Sequence, residues 1–438
     1  MQTLTRHEPK PADEVGGHKN IKRIKSTGEG LFSKILIMAY APAICWFGYI
    51  TATLTLERLY LLILLFAYVI EALQHSLSLK ITTAHKILFF WFGWATLTSL
   101  FAIEPDLAII KLIACAIRIA AATIILAMIV RYNAYSSLAW SFVIAGVGGG
   151  LFCFLFPSSA TDLTGRFFGT VANANTFGVQ ITAGLACGLY LLSTVNKLKL
   201  LKIPILLMII IFFAYLIIAS GSRKAAVGML LVVGLFGLSW SRQIAKKSLM
   251  KALLPVIAGT VAIIVMGVAV VQSSHGDRFV RIYDGFILGK KDRIESSEEH
   301  RLQMYEKGWE LAMENPILGI GLDNFRLASA GGLSGSFGTY AHSNYIELMV
   351  GTGVLGMLLY YLAWLTVAIS GVQKRHRYRP EAQISMILLF IMCAYDFAGV
   401  SYYSKVSWVI YALILAGIYN QKVARRPLQN KRKKAVGL

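Results

Sequence analysis

Long apolar runs alternate with short polar breaks along most of the chain. A helix needs about 20 predominantly apolar residues to cross a bilayer. Stretches of this kind lie near 33–50, 58–74, 87–103, 107–130, 136–156, 170–194, 203–219, 224–240, 252–271, 346–370, 384–400 and 405–420. The pattern predicts an all-α, polytopic membrane protein with about twelve transmembrane helices. Between 203–219 and 224–240 only Ser220-Gly221-Ser222-Arg223 intervenes, a sequence typical of a tight turn.

One polar connection is much longer than the others and sets the order of domains. We expect a basic cytoplasmic tail at 1–30, transmembrane helices 1–9 within 31–271, an outer loop domain at 272–345, transmembrane helices 10–12 within 346–420 and a second basic cytoplasmic tail at 421–438. The loop contains an amphipathic stretch that predicts a helix on or near the membrane surface. Its residues are Arg301, Met304, Tyr305, Gly308, Trp309, Leu311, Ala312 and Met313. The glycine-rich stretch 331–338 is a candidate mobile gate.

Composition excludes a soluble protein. The chain has 438 residues, 56% of them hydrophobic and only 15% charged, and its mean hydropathy is +0.62, whereas a soluble domain carries about 25% charged residues. Its net charge of +21 raises the possibility of nucleic-acid binding. The positive charges, however, lie in short loops and in both tails, which is how membrane proteins mark their cytoplasmic side. We therefore expect membrane lipids as partners, and no nucleic acid.

Three polar clusters precede predicted spans on the outer side. The first is Gly165-Arg166-Phe167-Phe168-Gly169-Thr170 with Asn173-Ala174-Asn175, the second is Ser220-Gly221-Ser222-Arg223-Lys224, and the third is Tyr340-Ala341-His342-Ser343-Asn344-Tyr345. The N-terminus of a helix exposes unpaired N–H groups and a partial positive charge, which favours an anion. Arg166 and Arg223 add guanidinium groups, which suit a diphosphate. Each cluster also has a structural explanation, because an arginine at a helix end is commonly a snorkelling residue and a lone histidine is commonly a surface residue.

His342 lies between small residues and a capping-type pair formed by Asn344 and Glu347. Upstream of it runs Asn315-Pro316-Ile317-Leu318-Gly319-Ile320-Gly321-Leu322-Asp323-Asn324-Phe325, and Gly351 and Gly353 follow it. In these motifs the chain resembles the lipopolysaccharide O-antigen ligase and polymerase superfamily, most closely the O-antigen ligases. The resemblance runs from about Arg166 to Gly356 and is strongest in the asparagine-proline and histidine motifs.

The resemblance implies a GT-C-like glycosyltransferase of the bacterial inner membrane, with one large periplasmic loop and an active site on the periplasmic face. Its donor would be an O-antigen glycan on undecaprenyl diphosphate, and its acceptor a sugar hydroxyl of lipid A-core. Arg166 and Arg223 would bind the diphosphate, and His342 would assist the acceptor hydroxyl as the catalytic base. The charges of the arginines should lower the pKa of His342. A single displacement would invert the anomeric carbon.

Several further residues are candidates for contact with the donor or the acceptor. They are Arg301, Asp396, Lys224, Asn344 and Tyr345. Arg301 equally suits a surface salt bridge to Glu298 or Glu299, and Asp396 suits pairing with an active-site arginine or orientation of His342. Lys111 and Arg118 share one helix face, where they suit either a lipid phosphate or an ion pair with Glu71.

We expect no cofactor and no metal, because the sequence contains neither a P-loop nor a dinucleotide fingerprint and no Asp-x-Asp or His/carboxylate cluster. Two alternatives to the ligase remain open. An O-antigen polymerase would use a second lipid-linked repeat as acceptor. A lipid-linked glycan flippase is less favoured, because a transporter concentrates its ionisable residues at the middle of the membrane.

Overall fold

The computed structural model describes most of the apolar part of the chain. The described residues are 30–47, 56–75, 77–171, 173–194, 202–245, 249–273, 276, 296–330, 339–373 and 379–420. Nearly all of both predicted tails, the candidate gate at 331–338 and the start of the outer loop lie outside these residues.

Within the described residues the chain is built from helices. They are α1 (Leu31–Phe47), α2 (Leu56–His75), α3 (Thr83–Ser99), α4 (Pro105–Tyr132), α5 (Tyr135–Leu155), α6 (Pro157–Ala160), α7 (Ala174–Ser193), α8 (Lys202–Ala219), α9 (Arg223–Ala245), α10 (Leu249–Gln272), α11 (Ser296–Glu314), α12 (Phe325–Ala330), α13 (Asn344–Val372), α14 (Pro380–Tyr395) and α15 (Lys405–Tyr419). Every predicted span coincides with one of these helices. The short α6 lies between two spans, and α11 and α12 belong to the predicted outer loop.

Among the residues that the structure describes, five helices are long and apolar enough to cross a membrane. They cover 105–132, 135–155, 174–193, 223–242 and 344–372, and shorter apolar helices accompany them. The predicted fold class, an all-α polytopic membrane protein, is confirmed. The number of crossings and their orientation stay predictions.

The last helix, α15, is the most deeply buried element of the fold. All its residues from Val406 to Tyr419 are buried, and it packs against α14, α4 and α1. A helix that is apolar on all sides belongs in the interior. Its start is fixed by Ser404, whose side chain accepts a hydrogen bond from the backbone N–H of Ser407.

A break in α13 joins the outer loop to the helix bundle. At Gly353 the backbone leaves the helical conformation, with φ 69° and ψ 174°, which only glycine adopts readily. The free carbonyl oxygens of Val350 and Gly351 accept hydrogen bonds from the N–H groups of Ile320 (2.8 Å) and Gly321 (3.1 Å). The asparagine-proline motif therefore has a structural role, because it fills the gap in α13.

A second joint ties the same loop to the start of α4. The side chain of Asn324 accepts a hydrogen bond from the N–H of Glu104 at 2.7 Å and donates one to its carbonyl oxygen at 3.2 Å. Lys111 forms an ion pair with Asp323 at 3.2 Å, and its ammonium group lies over the ring of Tyr403. Lys111 thus contacts the outer loop rather than Glu71.

Candidate functional site

A cavity of about 320 Å³ lies where the N-terminal ends of four long helices meet. We call it the central cavity. Asn173, Asn175 and Thr176 line it at the start of α7, Lys224 at the start of α9, Tyr340 and His342 just before α13, and Tyr403, Ser404 and Lys405 at the start of α15. Arg118 of α4, Arg301 of α11, Tyr395 of α14 and residues 398–400 complete the wall. Residues from all three predicted polar clusters therefore line one cavity.

The electrostatics of the central cavity favour an anion. Lys224, Arg301, Arg118 and Lys405 line it, and none of its described lining residues is acidic. The carboxylate of Glu57 forms an ion pair with Lys405. The helix N-termini add partial positive charge at the same place. The arrangement therefore suits a ligand that carries more than one negative charge.

The backbone at His342 is held in an unusual conformation. His342 has φ 56°, in the left-handed region that costs a non-glycine residue about 1 kcal/mol or more. The preceding residue is fixed, because the N–H of Ala341 donates a hydrogen bond to the buried carboxylate of Glu347 at 2.8 Å. The imidazole lies beside the ring of Tyr340, with the ring centroids 4.2 Å apart. These contacts direct the imidazole toward the central cavity.

The surroundings of His342 favour its neutral form. Burial, followed by the positive charges of Arg301 and Lys224 and the neighbouring His300, lowers the pKa of His342 to about 4. The sequence predicted the lowering but attributed it to Arg166 and Arg223. At neutral pH the imidazole is therefore uncharged and able to accept a proton.

The two predicted diphosphate-binding arginines lie near the central cavity but outside its wall. The Arg166 Nε donates to the carbonyl oxygen of Ser220 at 2.9 Å, and its Nη2 lies 3.5 Å from the side-chain oxygen of Asn175. Arg166 thus ties the first cluster to the second and reaches the cavity through Asn175. Arg223 lines a neighbouring cavity, described below.

Asp396, Asn344 and Tyr345 lie behind the wall of the central cavity. The Asn344 amide oxygen accepts hydrogen bonds from the N–H groups of Ser401 and Tyr402, both at 2.9 Å, and its Nδ2 lies 3.3 Å from the Asp396 carboxylate. The structure thus uses these side chains to fasten the start of α13 to the turn after α14.

Two details of these residues differ from expectation. The expected capping pair is wrong, because Ser343 is the N-cap residue of α13 and Asn344 and Glu347 make other contacts. Tyr345 does not face the cavity, because its hydroxyl donates to the carbonyl oxygen of Cys393 at 3.0 Å and its ring stacks on Tyr361. Contact of Asp396, Asn344 or Tyr345 with a substrate stays a prediction.

Arg301 reaches the cavity from α11, and His300 precedes it on the same helix. This helix buries Met304, Leu311 and Ala312 and packs against α13, which confirms the predicted amphipathic helix. His300 was not predicted as a site residue, although its ring centroid lies 6.4 Å from that of His342. The sequence could have indicated His300 as a site residue, because it lies one residue before Arg301 at the edge of the buried face of α11.

Two smaller cavities share walls with the central cavity. The first, about 280 Å³, lies between α7, α9 and α14 and meets the central cavity at Lys224 and Tyr395. We call it the apolar cavity, since most of its other lining residues are apolar, namely Val179, Ala225, Val227, Leu231, Ile391 and Ala394. Arg223 and Thr182 also line it. The second, about 200 Å³, meets the central cavity at Arg118 and Lys405, and we call it the side cavity.

Within the described residues no group of three or more His, Cys, Asp or Glu side chains is arranged to hold a metal ion.

The fold and the cavity together define a polytopic helical membrane protein with a cationic, histidine-containing site for an anion. Residues 208–361 match the family model described as O-antigen ligase. The matched segment contains Arg223, Lys224, Arg301 and His342. No curated protein matches the chain.

Proposed function

We propose that the protein is an O-antigen ligase. It would transfer an O-antigen glycan from undecaprenyl diphosphate to a sugar hydroxyl of lipid A-core on the periplasmic face of the bacterial inner membrane. The observation that carries the proposal is the central cavity, in which four helix N-termini, Lys224 and Arg301 surround a neutral His342.

The adjoining cavities suggest how the donor lies. Its polyprenyl tail would occupy the apolar cavity, because that wall is formed by Val179, Val227 and Leu231 and an apolar chain gains free energy by leaving water. The diphosphate would lie at the junction of the two cavities, against Arg223 and Lys224. Arg166 would act indirectly, by holding the side chain of Asn175. The first sugar would then lie in the central cavity.

The chemistry needs one proton acceptor and a stabilised leaving group. His342 takes the proton of the acceptor hydroxyl while its oxygen forms a bond to the anomeric carbon of the donor sugar. The bond between that carbon and the diphosphate oxygen breaks, and the diphosphate leaves with the bonding electron pair. Lys224, Arg301 and the helix N-termini stabilise its charge, so the transfer would be metal-independent. One displacement inverts the anomeric configuration.

Binding of the donor should make His342 a stronger base. Burial holds the pKa of His342 low in the free protein, and the positive charges of Arg301 and Lys224 lower it further. The diphosphate offsets these charges. The pKa then rises toward neutrality, and a base is most effective when its pKa lies near the working pH.

The proposal can be tested with purified protein in lipid nanodiscs, lipid-linked O-antigen as donor and rough lipopolysaccharide as acceptor. We expect covalent transfer that falls by about 10²- to 10⁴-fold in His342→Gln, the range of a lost general base, with donor binding retained. Lys307→Gln, on the exterior of α11, is the control and should keep wild-type activity.

Other products would decide against the ligase. Longer lipid-linked chains without transfer to lipopolysaccharide would identify a polymerase. Movement of the donor across the membrane without a covalent product would identify a transporter. Retained configuration with a trapped glycosyl-enzyme would contradict the single displacement.

A further inference from the structure

The side cavity contains a positively charged group that has no part in the proposed binding of the donor diphosphate. It lies between α1, α2, α4 and α15, and its charged lining residues are Arg58, Arg118, Lys405 and Glu57. Three cations thus face one carboxylate, and that carboxylate is paired with Lys405. The cavity therefore carries an excess of positive charge.

Arg118 is the group in the side cavity that most needs a ligand. Its Nη1 atom is buried and has no hydrogen-bond partner within the described part of the chain. A buried donor without a partner costs free energy, more so when it is charged. A guanidinium group binds phosphate through two parallel hydrogen bonds. Arg118 is thus placed to bind a phosphate that enters the side cavity.

The rest of the side cavity is suited to a lipid rather than to a free anion. Ile44, Leu61, Trp408 and Val409 line it. Ile117 also lines it and is 48% exposed, and its α4 neighbour Ile113 is exposed as well. In a membrane protein such exposed apolar side chains contact acyl chains, so a lipid has a continuous apolar path to Arg118.

We propose that the side cavity binds a phosphate group of the acceptor lipid and that Arg118 is its main ligand. This inference rests on the proposed ligase function, since it assigns a binding site in the side cavity to the acceptor lipid, the second substrate of a ligase. Arg118 and Lys405 form the wall shared with the central cavity. A lipid held there would have its sugar headgroup next to His342, while the donor enters from the apolar cavity through a different wall.

The kinetic test compares two acceptors, rough lipopolysaccharide with its lipid A phosphates and the same acceptor after dephosphorylation. In Arg118→Gln we expect the KM for the phosphorylated acceptor to rise by about tenfold or more, the effect of one lost charged hydrogen bond. The KM for the dephosphorylated acceptor should change much less, so the preference of the wild type for the phosphorylated acceptor should be lost in Arg118→Gln. Arg131→Gln, at the other end of α4, is the control, and equal melting temperatures would show that both variants fold.

A binding measurement keeps the test independent of catalysis. Native mass spectrometry should show that wild-type protein retains bisphosphorylated lipid A more strongly than dephosphorylated lipid A and that Arg118→Gln loses this difference. If the wild type transfers no glycan but shows this difference, the ligase proposal fails and the phospholipid site stands. Equal binding of both lipids by the wild type, an unchanged preference for the phosphorylated acceptor in Arg118→Gln, or competition by millimolar inorganic phosphate that is as strong as that of the lipid would overturn the inference.

Discussion

His342 adopts a left-handed backbone conformation beside two cationic side chains and a second histidine. Burial and these neighbours together favour the neutral imidazole over the imidazolium. The direction of the pKa shift of His342 has a simple electrostatic reason. A proton on His342 adds positive charge to a buried site that already holds Arg301 and Lys224, so protonation needs a more acidic solution than usual.

The pH dependence of transfer should therefore report on Arg301. In the free protein the acidic limb of kcat/KM should have an apparent pKa near 4, because protonated His342 cannot accept a proton. Arg301→Gln removes a charge that lowers this pKa, so the limb should move to higher pH even if the maximum rate falls. Lys307→Gln, on the same helix, should leave it in place. Initial rates measured as a function of pH check this shift. An acidic limb that stays fixed or moves to lower pH in Arg301→Gln would contradict the role given to Arg301.

At the scale of the helices, the break in α13 determines where His342 lies. The helix begins one residue after Ser343, and its interruption at Gly353 receives the loop of Ile320 and Gly321. α11 precedes this loop in the chain and carries Arg301. One joint thus fixes both the histidine and the arginine of the site.

Gly353→Ala should damage this joint. The alanine would need φ near 69°, and its Cβ would overlap the carbonyl oxygen of Ile317. We expect a cost above about 1–3 kcal/mol, seen as a lower melting temperature and a loss of transfer. Gly93→Ala is the matched control, because a Cβ at Gly93 of α3 meets open space and alanine is the better helix former. Equal melting temperatures for the two variants would contradict the proposed role of the joint.

At the scale of the whole molecule, the sequence predicts the helices better than it predicts their contacts. Each apolar run became a helix, because about 20 apolar residues have few other stable arrangements in a bilayer. The three polar clusters also meet as expected, since each interrupts an apolar run at a helix start. Gly221, with φ 55°, confirms the predicted turn before α9.

What the sequence could not predict depends on packing between distant parts of the chain. Lys405 and Arg118 reach the central cavity because α15 is buried against α4, and no local pattern indicates that contact. Asn344 looked like a cap or a substrate ligand, but its partners Ser401 and Tyr402 are more than fifty residues away. Local motifs show which residues are polar, whereas tertiary contacts decide which of them face a ligand.

The most direct test of the account is a structure of the wild-type protein determined with the lipid-diphosphate donor bound. The account predicts the diphosphate at the junction of the central and apolar cavities, beside Arg223 and Lys224. It further predicts the polyprenyl chain along Val227 and Leu231 and the first sugar within reach of His342. A diphosphate bound away from the central cavity, or at the other end of the helix bundle, would contradict it.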